Sequence, residues 1–339
     1  MLPTWAVVLC VYAALLVLSW LLKRVRAPGL DLVGKHVVVT GGSSGLGKAI
    51  AALSVKRGAA QVTLVARNQA KLDAAKIEIT EETACDADVV QVSSCDVTNT
   101  ESVKAMFDSF DMPVDVLVCA AGVAQPGYIL AQSDDVFRRQ MEVNYFGHVA
   151  CTRQAVLQML RAAEERGEQR GHVVLVGSAM SLLSYVGYGQ YAPSKMAMRA
   201  FAEALRHEVK PLGIRVTAFY PSNMDTPGFA AEQRTKPEET QLIEGTATLF
   251  SAQASARTLF DGMAQGDFAI TQEFVTHLIR IATGVSTPRP LVLFDLLVLP
   301  FALLFFFFFA LYVDVWVMPR SRGARAAAEA ALAADAKSE

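Results

Sequence analysis

Through the middle of the chain, short runs of aliphatic and β-branched residues alternate with longer stretches whose apolar positions recur at helical spacing. Residues 36–40, 62–66, 89–92, 114–119, 172–177 and 214–219 read as strands. A strand covered on both faces needs an unbroken apolar run, because neither face meets water. Strand–helix alternation predicts an α/β chain with a doubly wound parallel sheet in a single domain. Residues 266–271 are expected to add one more short strand. No internal repeat appears beyond this alternation.

The two ends of the chain read differently. Residues 2–22 hold no charged side chain, and Lys23, Arg24 and Arg26 follow. About twenty apolar residues rising 1.5 Å each span a ~30 Å hydrocarbon layer. A cleaved signal peptide would put its basic residues before a shorter run and end on small residues. Here the run ends in Ser19-Trp20-Leu21-Leu22 with the basic cluster after it. A retained N-terminal transmembrane anchor over residues 1–26 is therefore expected, with the rest of the chain on the cytosolic side. A second apolar run covers residues 296–313 between Asp295 and Asp314, with Pro300 in its first turns. The five consecutive phenylalanines from Phe305 to Phe309 leave no polar face for water, so this run reads as a membrane segment. Arg320, Arg322 and Arg325 follow it and would also stay cytosolic. A re-entrant path and a crossing against that rule both remain open. The expected organisation is an anchor over 1–26, a folded domain over 27–275, a membrane-associated segment over 276–319 and a polar tail or frayed helix over 320–339.

Composition sharpens this only in part. The 339 residues are 53% hydrophobic with a net charge of −2, which removes the electrostatic case for a nucleic-acid partner. Cys10, Cys85, Cys95, Cys119 and Cys151 are scattered and odd in number, which points to a reducing compartment. They form no ligand cluster with histidine, so no metal is expected.

Two motifs carry chemistry. Thr40-Gly41-Gly42-Ser43-Ser44-Gly45-Leu46-Gly47 follows the first strand and opens a helix. Glycines in such a turn let backbone approach a pyrophosphate at the helix N-terminus, as in a Rossmann-type fold. The same turn fits a G-x-S-x-G nucleophile elbow, for which His207 and His277 are the available bases. That hydrolase reading leaves the second motif idle. Tyr191 and Lys195 lie four residues apart, one helical turn, so an ammonium could lower the phenol's pKa and make it a general acid.

Together the two motifs, over residues 34–271, resemble the short-chain dehydrogenase/reductase family. That resemblance implies Tyr191 as proton donor and Lys195 as its partner and ribose ligand. It implies Ser178, thirteen residues before the tyrosine, as the carbonyl-binding serine, and Asn144 as the helix asparagine that positions a relay water. Taken singly, Ser178 reads equally as a helix cap, Asn144 as a turn residue and Asp96 as an N-cap. Gly41, Ser43, Ser44, Gly45, Leu46 and Gly47 would cradle the cofactor, with Asp96 and Val97 after the third strand and Gly122 after the fourth. Ser222 and Thr226 would reach the nicotinamide. The family's Asn-Asn-Ala-Gly is Cys119-Ala120-Ala121-Gly122 here, and its Pro-Gly is Pro221-Ser222.

At the end of the second strand stand Ala66-Arg67-Asn68, with Lys71 a turn on. A guanidinium grips a 2′-phosphate where a carboxylate would repel it, so NADP(H) is expected over NAD. In the substrate loop over 221–245, Thr226-Pro227-Gly228-Phe229 and residues 234–240, together with Gly41-Gly42-Ser43-Ser44-Gly45 and Val65-Ala66-Arg67-Asn68, resemble the members of the family that reduce long-chain 3-keto-sphingoid bases. This implies a lipid ketone substrate, sphingolipid metabolism, and an endoplasmic reticulum membrane location with the catalytic domain facing the cytosol. Sterol, retinoid or acyl ketones are the alternatives. A homodimer or tetramer through the tyrosine-bearing helix is what the family often forms.

Overall fold

Every residue of strand β1 (His36–Thr40) is buried, and the sheet grows outward from it on both sides. The computed structural model describes residues 31–166, 171–245, 247–284 and 292–335, with positions 13, 17 and 288. The expected N-terminal anchor lies outside the described residues. In chain order β1 is followed by α1 (Gly45–Lys56), β2 (Gln61–Ala66), α2 (Gln69–Thr83), β3 (Val90–Ser94), α3 (Thr100–Asp108) and β4 (Val116–Cys119). Then come α4 (Asp134–Met141), a π turn over Glu142–Phe146, α5 (Gly147–Arg166), β5 (Gly171–Val176), α6 (Ala192–Val209) and β6 (Ile214–Tyr220). The C-terminal part adds β7 (Met224–Asp225), α7 (Pro227–Gln233), α8 (Glu238–Glu244), β8 (Phe250–Ser251), α9 (Ala252–Ala264), β9 (Ala269–Thr271), α10 (Phe274–Thr283), α11 (Val292–Tyr312) and α12 (Gly323–Asp335).

Seven strands form one parallel sheet in the order β3-β2-β1-β4-β5-β6-β9. All six expected strands are present within a few residues of their expected bounds, and 266–271 contracts to β9. Side chains alternate across the sheet. Val37 and Val39 face a core with Ile50, Leu64 and Leu259, while Val38 faces one with Leu117, Leu175 and Ala202. Helices therefore cover both faces, which is why the strands read as continuous apolar runs. Chain order reverses between β1 and β4, and the crevice at the carboxyl ends of those strands is where such sheets bind ligands.

The C-terminal apolar stretch departs from expectation. Helix α11 starts at Val292, so Pro300 lies inside it rather than in its first turns. Its missing N–H leaves the Leu296 carbonyl without a helical partner. The helical stretch Phe294–Arg320 is long and apolar enough to cross a membrane. Both of its flanks rest on the same domain. At its start, Arg280 Nη2 donates to Asp295 Oδ2 at 2.8 Å, and both side chains are buried. At its end Val317 is buried, Ser321 hydrogen-bonds Glu239, and Gly323 lies against Tyr128. The tail is helical over α12.

Candidate active site

The site assembles where β1, β4, β5 and β6 end. Strand β1 runs directly into the glycine turn. Gly41 has φ +71°, and a Cβ there would meet the Ala120 carbonyl oxygen at 2.8 Å. A Cβ on Gly47 would collide with the Gly41 carbonyl, so the turn closes only with glycine at both positions. Ser44 caps α1 without a side-chain hydrogen bond, and no acidic residue stands in the helix's first turn. The N-terminal amides thus face the crevice with no internal anion, the arrangement that a pyrophosphate fits. Among the described residues, no cluster of side chains could hold a metal ion.

At the tip of β2, Arg67 is more than half exposed, with Nη1 4.0 Å from Asp96 Oδ2. Asp96 accepts from the Thr98 amide at 3.0 Å and the Thr98 hydroxyl at 2.9 Å. Burial alone would raise its pKa, but these bonds and the Arg67 charge bring it below the ordinary carboxylate value. Lys71 uses its backbone amide in the Asn68 cap of α2 at 2.9 Å. Thr226 caps α7 through the Phe229 amide at 3.2 Å, and its methyl lies 3.1 Å from a Cβ built on Gly45. The loop after β6 therefore folds back onto the glycine turn. Ser222 is engaged with Thr276 on α10 at 3.2 Å.

Tyr191, Lys195, Ser178 and Asn144 converge. Tyr191 is the N-cap residue of α6 and Lys195 lies one turn inside the helix, rather than both lying within it. Ser178 stands close enough to the Tyr191 hydroxyl to pull the phenol's pKa down. It also caps the turn Ala179–Ser181, accepting from the Met180 amide at 3.2 Å, so the helix-cap reading and the site reading are both met by one side chain. Lys195 is buried, and its Nζ donates to the Val176 carbonyl at 3.1 Å. The segment after β4 runs beside that ammonium, for a Cβ on Gly122 would lie in contact with Lys195 Nζ at 3.5 Å.

The electrostatics correct one expectation. Tyr191 is not made acidic by its neighbour. Burial, and then the carboxylate of Glu232, hold the phenol well above its ordinary pKa, with Ser178 pulling the other way. Lys195 points to Val176, 5.9 Å from the centre of the tyrosine ring, and burial lowers its own pKa to about 8. Asn144 also differs from expectation. Its Oδ1 accepts from the Val123 amide at 2.9 Å, while Nδ2 donates to the Val123 carbonyl and Ser194 Oγ at the same distance. A side chain so committed fixes the segment after β4 against α6 and has little left for a relay water.

The replaced Asn-Asn pair has substitutes that the sequence did not disclose. Thr40 Oγ1 accepts from the amides of Ala120 and Ala121 at 3.1 and 3.2 Å. His148, one turn beyond Asn144, donates through Nε2 to the Ala121 carbonyl at 2.8 Å. Burial, and then the Lys195 charge, lower its pKa to about 3, so it holds this segment as a neutral ring. Above the site sits a second unforeseen group. Tyr188 donates toward Glu232 at 2.5 Å and Glu244 at 2.7 Å, and Lys236 pairs with both carboxylates at 3.1 and 2.8 Å.

Fold and site together define an oxidoreductase scaffold for a nicotinamide dinucleotide. The chain belongs to the short-chain dehydrogenase family, whose pattern residues 35–237 match. It is 35% identical to a 3-ketodihydrosphingosine reductase of Dictyostelium discoideum, covering 81% of this chain and 85% of that one. A 3-dehydrosphinganine reductase of Danio rerio is 40% identical, over 77% of this chain and 78% of that one. The Bos taurus 3-ketodihydrosphingosine reductase is 42% identical, over 70% and 71%. Among solved structures, a Streptomyces avermitilis short-chain dehydrogenase superposes with a TM-score of 0.61 at 27% identity, covering 73% of this chain and 91% of that one. A Burkholderia phymatum family member in complex with NAD has the same fold, with a TM-score of 0.63 at 23% identity over 75% and 94%.

Proposed function

We propose that this chain reduces 3-ketodihydrosphingosine to dihydrosphingosine with NADPH, the ketone-reducing step of sphingoid-base synthesis. The observation that carries this is the convergence of Ser178 on Tyr191, with Lys195 a turn away, beside a glycine turn shaped for a pyrophosphate. The similar proteins named above supply the substrate class. The backbone from Gly41 to Gly47, including Ser43, Ser44 and Leu46, would hold the pyrophosphate. Arg67, with Lys71, would grip a 2′-phosphate, a fork-shaped contact for which its exposure leaves it free to turn. Asp96, Val97, Gly122, Ser222 and Thr226 would border the adenine and nicotinamide ends. When bound, NADPH supplies the hydride.

The protein's part is proton delivery and charge stabilisation. Ser178 donates to the substrate's carbonyl oxygen as charge builds there. Tyr191, kept protonated by its raised pKa, gives its proton to the same oxygen. The phenolate left behind draws on the nearby Lys195 ammonium, whose lowered pKa makes it ready to return a proton. Asn144 and His148 act as positioning residues for the wall around Lys195.

The catalytic unit is read as residues 27–275, held at the endoplasmic reticulum membrane and facing the cytosol. Docking of both flanks of Phe294–Arg320 on one domain supports a helix lying in the cytosolic leaflet rather than crossing it. Exposed Phe301, Phe305, Phe307 and Phe308 would meet the lipid. Cytosolic Arg320, Arg322 and Arg325 then agree with the positive-inside rule. The purified, detergent-held protein assayed with NADPH on a panel of sphingoid, sterol, retinoid and acyl ketones tests the substrate. Turnover of the 3-keto-sphingoid base is expected, and turnover of another class in its place would overturn the reading.

A further inference from the structure

Two carboxylates in the loop over the active site share a single cation. Lys236, fully buried at its side chain, lies 3.1 Å from Glu232 Oε1 and 2.8 Å from Glu244 Oε2. The Tyr188 hydroxyl has one proton for the Oε1 atoms of both acids. Glu244 is satisfied on both oxygens, because Tyr185 reaches Oε1 at 3.3 Å and Asn223 reaches Oε2 at 3.5 Å. Glu232 is not. Both of its partners converge on Oε1, and among the described residues none hydrogen-bonds or pairs with Oε2, although the side chain is only 15% exposed. A largely buried carboxylate with a free oxygen is a strong acceptor for a charged donor.

Its position says what that donor belongs to. Tyr188 stacks beside Tyr191, with ring centroids 5.8 Å apart, so Glu232 stands within one side chain of the proton-donating phenol. Its charge reaches that phenol directly. The same network borders a cavity of about 310 Å³ whose wall includes Asn223, Phe229, Glu244 and Leu249. A substrate whose carbonyl meets Tyr191 would have the atom next to its carbonyl within a side chain's reach of Glu232. In a 2-amino-3-ketone that atom carries a protonated amine.

We propose that Glu232, through its free Oε2, recognises the cationic amine adjacent to the reacting ketone and so selects amino ketones over plain long-chain ketones. Lys236 and Tyr188 fix the carboxylate, and Glu244 holds Lys236 in place. The inference rests on the 3-ketosphingoid reading above. An ammonium seated there also makes the neighbouring carbonyl more electrophilic, so the same contact assists hydride acceptance.

The test compares kcat/KM of the full chain in detergent with NADPH for 3-ketodihydrosphingosine and for its desamino analogue, 1-hydroxyoctadecan-3-one. The wild type should favour the amine by about 10-fold or more, because the analogue lacking it leaves the carboxylate without its partner. Glu232→Gln should lower kcat/KM for the amino ketone at least ~10-fold further than for the desamino one, chiefly through KM, with Glu232→Asp recovering part of the loss. Equal wild-type use of the two ketones, a comparison that needs no variant to fold, would overturn the proposal. An equal loss on both ketones in Glu232→Gln would do the same. Wild type inert toward both ketones would instead overturn the reductase reading, and this inference with it.

Discussion

Lys195 Nζ lies 5.9 Å from the centre of the Tyr191 ring and donates to the Val176 carbonyl, not to the phenol. The ammonium thus makes no bond to the phenol, and the two groups titrate apart. Lys195 loses its proton near pH 8, while Tyr191 keeps its own well above its ordinary value. Reduction consumes a proton, so kcat/KM should fall as pH rises through about 8. Lys195→Arg should move that fall to higher pH whatever its absolute rate, because a guanidinium stays charged. A pH–rate profile of both proteins measures this, and an unshifted fall would assign it to another group.

The same burial has a cost in stability. The Lys195 pKa is about 8 in the folded chain against an ordinary 10.5. Between those values the unfolded chain binds more protons, so stability rises with pH across that window, and below it the full penalty remains. At 1.36 kcal/mol per pKa unit the penalty is about 3 kcal/mol, against about 1 kcal/mol for the lost bond to Val176. Lys195→Met should therefore be inactive yet more stable than wild type at neutral pH without cofactor. Chemical denaturation at neutral and alkaline pH checks both the gain and its decline.

The proposed grip of Arg67 on a 2′-phosphate makes a prediction about cofactor choice. Replacing Arg67 by alanine should raise KM for NADPH about 10-fold or more and leave KM for NADH nearly unchanged, since only the 2′-phosphate contact is lost. Steady-state kinetics with each cofactor measure the ratio. Equal effects on both would remove Arg67 from that role.

Thr40 ties the end of β1 to the segment after β4. Thr40→Val keeps the shape but strips the acceptor from the amides of Ala120 and Ala121. Leaving buried donors unpaired costs roughly 1–3 kcal/mol. Equilibrium denaturation should register that loss, with NADPH affinity falling alongside because Gly41 packs on Ala120.

The sheet was legible in the sequence because each central strand is covered on both faces and had to be apolar throughout. Strands β7 and β8 were not, since two residues carry no period. Ser178, Tyr191 and Lys195 were legible by spacing, and the structure brings them together. The Tyr188–Glu232–Lys236–Glu244 network was hidden because its members lie up to 56 residues apart and its charges read as an ordinary solvated loop. The phenol's raised pKa was missed for a related reason. A helical-spacing argument includes the lysine but neither the desolvation of the ring nor a carboxylate arriving from another loop.

On the reading proposed above, Tyr191 delivers the proton to a 3-keto-sphingoid base. The most direct measurement follows NADPH oxidation by wild type and Tyr191→Phe with 3-ketodihydrosphingosine, alongside NADPH binding by fluorescence. Wild type should turn over, and the phenylalanine variant should lose roughly 10²–10⁴-fold in rate while still binding NADPH. Near-normal turnover by Tyr191→Phe would contradict that reading.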